Sequence, residues 1–153
     1  MPDTNTVPNL TGLYFELFNE IGIINQLSRT SFEARLPDGM VLPHFTVINH
    51  LIRVQDGQTP LQLARAFQVP KTSMTHTLAG LEKRGLVDMR ANPDDARSKQ
   101  VWLTAAGRKF RQEAIASLSP DVAEISDTLS VEEVTAAISL LARLRKRMDS
   151  ARD

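Results

Sequence analysis

The 153-residue chain contains no cysteine. That excludes a disulfide scaffold, a cysteine-ligated zinc site and a thiol-based redox switch. Aromatic residues are scarce at 5%, and the 18 basic and 18 acidic side chains cancel. The total charge therefore gives no hint of a polyanionic partner. Long apolar runs are missing too. Leu10 to Leu27 is interrupted by Glu16, Asn19, Glu20, Asn25 and Gln26, whereas a membrane-spanning helix needs about 20 mostly apolar residues. Met1 to Asn9 is polar, with two prolines and neither the basic start nor the apolar stretch of a signal peptide. The expectation is a soluble, cytoplasmic protein with no membrane partner.

Signatures of catalysis are lacking as well: no Gly-rich phosphate loop, no Gly-x-Ser-x-Gly turn and no HExxH. The histidines are His44, His50 and His76, and the six-residue separation of the first two is not a metal-ligand spacing. His44 near a helix start and His50 within a helix read as ordinary surface or core residues. No enzymatic activity, cofactor or metal is expected.

A hydrophobic content of 42% and a charged content of 24% are ordinary for a globular chain. The length suits one domain over residues 1–153 with a core that needs no staples. The neutral total hides an uneven distribution. From Thr59 to Arg111 there are ten basic residues (Arg65, Lys71, Lys83, Arg84, Arg90, Arg97, Lys99, Arg108, Lys109 and Arg111). Against them stand Glu82, Asp88, Asp94 and Asp95, so this span carries +6 and the remainder −6. Chance clustering on a solvated face can produce such a split, but so can a surface built to meet phosphates.

Periodicity predicts the elements. Leu13, Leu17, Ile21 and Ile24 fall at helical spacing within 10–36, and Phe18 and Leu27 make the apolar stripe wider than one packing partner needs. Pro37-Asp38-Gly39 breaks that helix, and a second runs from Pro43 to about Val54, ending at Asp56-Gly57. Thr59-Pro60 marks an N-cap and first helical residue, opening a short helix through Phe67. Gln68-Val69-Pro70 ends it, and another follows from Lys71 or Thr72 to Arg84, stopped by Gly85. Two short helices joined by a tight turn, each with one apolar face, make a helix-turn-helix. The period then changes, with strands over Leu86–Arg90 and Gln100–Thr104 around a polar loop. Helix resumes near Ala105 with a break at Ser119-Pro120, and Ser130-Val131-Glu132-Glu133 is a capping box launching a last helix through Met148. The predicted fold is mostly α with a small β-ribbon.

A helix-turn-helix presents its second helix to the major groove. The candidates there are Lys71, Thr72, Ser73, Thr75 and His76. Hydroxyls can reach phosphates or base edges, and Lys71 can neutralise a phosphate. The ribbon offers Arg90, Arg97 and Lys99, with Ser98 between the last two, for the neighbouring minor groove. Asp95 is suited to pairing with Arg97 and shaping the tip. Such an exposed pair contributes at most about 1 kcal/mol, so its value lies in orientation.

Four runs in order then carry a resemblance: Lys71-Thr72-Ser73-Met74-Thr75-His76-Thr77-Leu78, Leu81-Glu82-Lys83-Arg84-Gly85-Leu86-Val87, Asp94-Asp95-Ala96-Arg97-Ser98-Lys99 and Leu103-Thr104-Ala105-Ala106-Gly107. Together they resemble the MarR family of bacterial transcriptional regulators, with motifs spanning Thr59 to Gly107 and helix order matching over nearly the whole chain. The resemblance implies a winged helix-turn-helix lobe over 43–104, a recognition helix starting near Lys71, and a wing whose Asp95 and Arg97 match the family's Asp-x-Arg motif. It also implies a homodimer joined through helices in 10–36 and 105–150. A pseudo-palindromic double-stranded operator and a small aromatic or anionic effector would be its partners. Two departures stand out: Ala96 replaces a frequent second arginine, and His76 a common arginine. These departures, with the neutral total charge, keep a second reading open: a winged-helix ligand- or protein-interaction module without DNA binding.

Overall fold

The computed structural model describes residues 9–152, in which the expected periodicities resolve into seven helices and a two-stranded ribbon. The polar stretch before Asn9 lies outside the described residues. The order is α1 (Leu10–Glu33), α2 (Leu42–Arg53), α3 (Pro60–Phe67), α4 (Lys71–Lys83), β1 (Val87–Ala91), β2 (Lys99–Leu103), α5 (Ala105–Ala116), α6 (Ser119–Ile125) and α7 (Val131–Ser150). Two compact units divide the chain, one running through Ala116 and the other starting at Ser117.

In the first unit the core gathers one face of each short helix. Val47, Ile48 and Leu51 from α2, Leu63 and Ala64 from α3, and Met74, Leu78 and Leu81 from α4 are buried together with Val87, Val101 and Leu103 of the ribbon. The end of α1 joins through Phe32, whose ring meets Phe45 edge-on at 4.6 Å between centroids. Helix α5 buries Gly107, Phe110 and Ala114, and the Phe110 ring lies 6.4 Å from Phe45. It lies in the same compact unit as α1 and the winged helix.

Local chemistry explains the element boundaries. Thr59 caps α3 by accepting from the Gln62 N–H at 3.2 Å, while the Gln62 side chain accepts the Thr59 N–H at 2.8 Å. Gln68 then takes a left-handed conformation, φ 53°, and lets the Val69 N–H reach back to the Ala64 carbonyl at 3.0 Å. The helix ends there, leaving Pro70 to lead into α4. The strands pair antiparallel from Val87 opposite Leu103 to Ala91 opposite Lys99. Gln58 adds a one-residue bridge to Val101, so the loop before α3 touches the ribbon from its other edge.

In the second unit, Ser130 caps α7 through the expected box. Its hydroxyl accepts the Glu133 N–H at 3.1 Å and Glu133 accepts the Ser130 N–H at 2.8 Å. Helix α7 has no buried residue, and Val134, Ile138 and Leu141 are exposed along it. In the first unit, Leu13, Leu17, Ile24 and Leu27 are likewise exposed along α1. No helix among the described residues is long and apolar enough to cross a membrane.

Candidate nucleic-acid interface

Helix α4 buries Met74, Leu78 and Leu81, and that choice of face leaves Lys71, Thr72, Ser73, Thr75 and His76 exposed. No side chain caps its first turn and no acidic residue stands there. Its leading amides and the helix dipole together favour an approaching anion. The Thr75 hydroxyl donates to the Lys71 carbonyl at 2.9 Å, and Thr77 does the same to Ser73 at 3.1 Å. Both hydroxyls keep lone pairs for a second partner, and their protons are engaged within the helix.

A groove of about 660 Å³ opens between the start of α3, the start of α4 and the ribbon tip. Lys71, Thr75, Asp95, Arg97, Ser98 and Lys99 all border it. Thr72, Ser73, His76 and Arg90 do not line this groove. The structure therefore brings together cations from recognition helix and wing that are separated by more than twenty residues of sequence.

The tip is built by its own polar side chains. The Asp95 carboxylate accepts from the Arg97 backbone N–H at 3.0 Å and from the Arg97 guanidinium at 3.2 Å. Asn92 donates to the Ser98 hydroxyl at 2.9 Å, and that hydroxyl donates to the Asp95 carbonyl at 3.3 Å. Ser98, a contact candidate from its place in the motif, is half-buried and part of the tip's internal bonding. Arg97 projects with its side chain 92% exposed. Arg90 behaves differently: its guanidinium sits 5.4 Å from the centre of the Trp102 ring and 3.8 Å from the Asp88 carboxylate.

Histidines occupy structural positions around this lobe. The Val41 N–H donates to His44 Nδ1 at 3.0 Å, capping α2. The other ring nitrogen faces Gly80, where a Cβ would stand 2.8 Å from it. A glycine inside the recognition helix thus makes room for a histidine of α2. Burial first, then the charges of Arg84 and His76, holds the His44 pKa below the usual histidine value. Burial also lowers His50, which bonds Gln58 at 3.0 Å and lies against Phe67. No three histidine, aspartate or glutamate side chains among the described residues gather to hold a metal ion.

Several groove and scaffold residues were not singled out from sequence. Gln62 lines the groove beside Thr59, and the capping-box pattern Thr59-x-x-Gln62 was a signal for its place. Asn92 lines it too, with only its turn-forming neighbourhood as a cue. Asp56 is marked in the sequence only as half of the Asp56-Gly57 helix stop.

These elements define a winged helix-turn-helix: a helix with an open first turn beside a two-stranded wing that carries Arg90, Arg97 and Lys99. Residues 38–98 match the model of the MarR family. The fold is shared with apo MarR from E. coli at 25% identity, covering 84% of this chain and 95% of that one with a TM-score of 0.70. It is shared equally with the transcriptional regulator BldR from Sulfolobus solfataricus, at 26% identity, 88% and 99% coverage and a TM-score of 0.69. A MarR mutant from E. coli complexed with operator DNA matches in fold at 24% identity, 89% and 98% coverage and a TM-score of 0.66. A MarR-family model thus matches the winged-helix lobe, and the chain shares the fold of apo MarR and of BldR.

Proposed function

We propose that this protein is a homodimeric, sequence-specific regulator of transcription that represses by binding a pseudo-palindromic operator. The observation that carries the reading is the groove where Lys71 from the recognition helix meets Arg97 and Lys99 from the wing. In this arrangement α4 enters the major groove and the wing follows the adjacent minor groove, with Lys71, Arg97 and Lys99 on phosphates. Thr72, Ser73, Thr75 and His76 face base edges or the backbone. The two recognition helices of a dimer would lie about 34–36 Å apart, one turn of DNA. The exposed apolar stripes of α1 and α7 supply surfaces for that dimer. A small aromatic or anionic effector that favours one lobe spacing would couple to operator affinity by about 1–3 kcal/mol, a 5–150-fold change. A cytoplasmic location and the absence of catalysis go with this reading.

A second reading, an interaction module that no longer reads DNA, draws on one observation. Two wing cations stand beside carboxylates, Arg97 by Asp95 at 3.2 Å and Arg90 by Asp88 at 3.8 Å. Selection of bound duplexes from a random pool across a salt titration decides between the two, repeated with a panel of small aromatic acids. Recovery of a two-fold-related sequence supports the regulator. Failure to enrich any sequence at low salt would sink it.

A further inference from the structure

The wing needs a root, and the hydrogen bonds of the loop between α2 and α3 show where it is. Asp56 Oδ1 accepts two backbone amides: its neighbour Gly57 at 2.9 Å and, 47 residues away, Leu103 at the end of β2, at 3.0 Å. Its other oxygen lies 3.5 Å from the Arg108 guanidinium on α5. The same loop trades backbone bonds with Val101: the Gly57 N–H reaches the Val101 carbonyl at 3.0 Å, and the Val101 N–H reaches the Gln58 carbonyl at 2.8 Å. One carboxylate, its side chain only 23% exposed, thus ties together the loop ahead of the helix-turn-helix, the base of the wing and the helix after it.

We propose that Asp56 is a positioning residue for DNA recognition, setting the angle of the wing against the recognition helix by clamping Leu103 and Arg108 to the α2–α3 loop. This rests on the regulator reading above. The lever is long. Six residues separate Leu103 from Arg97, about 20 Å at strand rise, so a root tilt of about 10° moves the tip by about 3 Å. A hydrogen bond to a phosphate does not survive a displacement of that size. Asp56 touches no DNA in this scheme. It acts through Arg97 and Lys99.

The test is a double-mutant cycle on the selected operator, with Arg97→Ala and Lys71→Ala each made in the native and Asp56→Ala backgrounds. In the native chain Arg97→Ala is expected to weaken binding about fivefold, and in Asp56→Ala less than twofold, because the wing contact is already lost. Lys71→Ala should cost the same factor in both. An undiminished Arg97 cost overturns the proposal, and so does a Lys71 cost that shrinks in parallel, which would mean the whole lobe had loosened. Amide hydrogen exchange gives a readout without DNA. Asp56→Ala should speed exchange across Val87–Leu103 and leave the α2 amides around Leu51 unchanged, and the reverse pattern or no change overturns it. If the native chain binds no duplex, the regulator reading fails by itself and the exchange result still decides whether Asp56 anchors the wing. Should Asp56→Ala not fold, Asp56→Asn keeps the Oδ1 acceptor but turns an amide toward Arg108. It must then show the same pattern with smaller factors, and its absence counts against the proposal.

Discussion

Gly107 lies directly against the Leu86 carbonyl: a Cβ on Gly107 would stand 2.2 Å from that oxygen. Thr104 explains the approach. Its hydroxyl donates to the Gly85 carbonyl at 2.7 Å and accepts the Gly107 N–H at 3.0 Å, so the first turn of α5 is pulled onto the strand that starts the wing. Gly107→Ala is therefore expected to destabilise the protein by at least about 2 kcal/mol. A urea denaturation series measures this, and a loss below 1 kcal/mol would show that the contact relaxes freely.

Arg97→Ala should weaken binding to all duplexes alike and lower the salt slope by about one, as removal of a single phosphate contact does. Thr75 borders the same groove, but it stands on the recognition helix. Thr75→Ala is expected to change which bases are selected. Equal losses on every sequence would assign Thr75 to the backbone instead.

The apolar stripes yield a prediction about association. Leu27 on α1 is 67% exposed and Ile138 on α7 is 63% exposed, so a charge at either costs the single chain little core packing. Leu27→Glu and Ile138→Glu should each shift a dimer to monomer in sedimentation equilibrium while preserving the helical circular dichroism. A native chain that sediments as a monomer at tens of micromolar would contradict the dimer.

Acid should destabilise the lobe. His44 and His50 both have folded-state pKa values below the usual histidine value, chiefly through burial. A depressed pKa means the unfolded chain takes up the proton first. The contribution is therefore whole above about pH 6.5 and is lost as pH falls through the lowered folded values. Protonating His44 at Nδ1 also removes the acceptor for the Val41 N–H. Melting temperatures should hold steady from pH 8 to 7 and fall from 6.5 toward 5. His50→Gln should flatten part of that decline, and an unchanged slope would assign the acid sensitivity elsewhere.

Much of the lobe was legible in the chain because local signals set it. Thr59-Pro60 marked the start of α3, Gly85 the end of the recognition helix, and alternation in Gln100–Leu103 the inward face of β2. Strand bounds shifted by about one residue, as expected where pairing extends beyond the alternating run. What stayed hidden depends on contacts remote in sequence. Nothing near Asp56 announces Leu103, nothing near Gly80 announces His44, and nothing near Arg90 announces the Trp102 ring beside it. Likewise the helical spacing of α5 does not announce that its Phe110 ring meets Phe45 of the same lobe. Periodicity says that a face is buried and leaves open against what.

Trp102 is the only tryptophan in the chain, and its indole is close to both the Arg90 guanidinium and Gly57, where a Cβ would collide with the ring. Every photon of indole emission therefore originates at the base of the wing, beside a cation and a glycine backbone. The protein carries its own optical gauge of wing posture, and its emission reports on that hinge without a label.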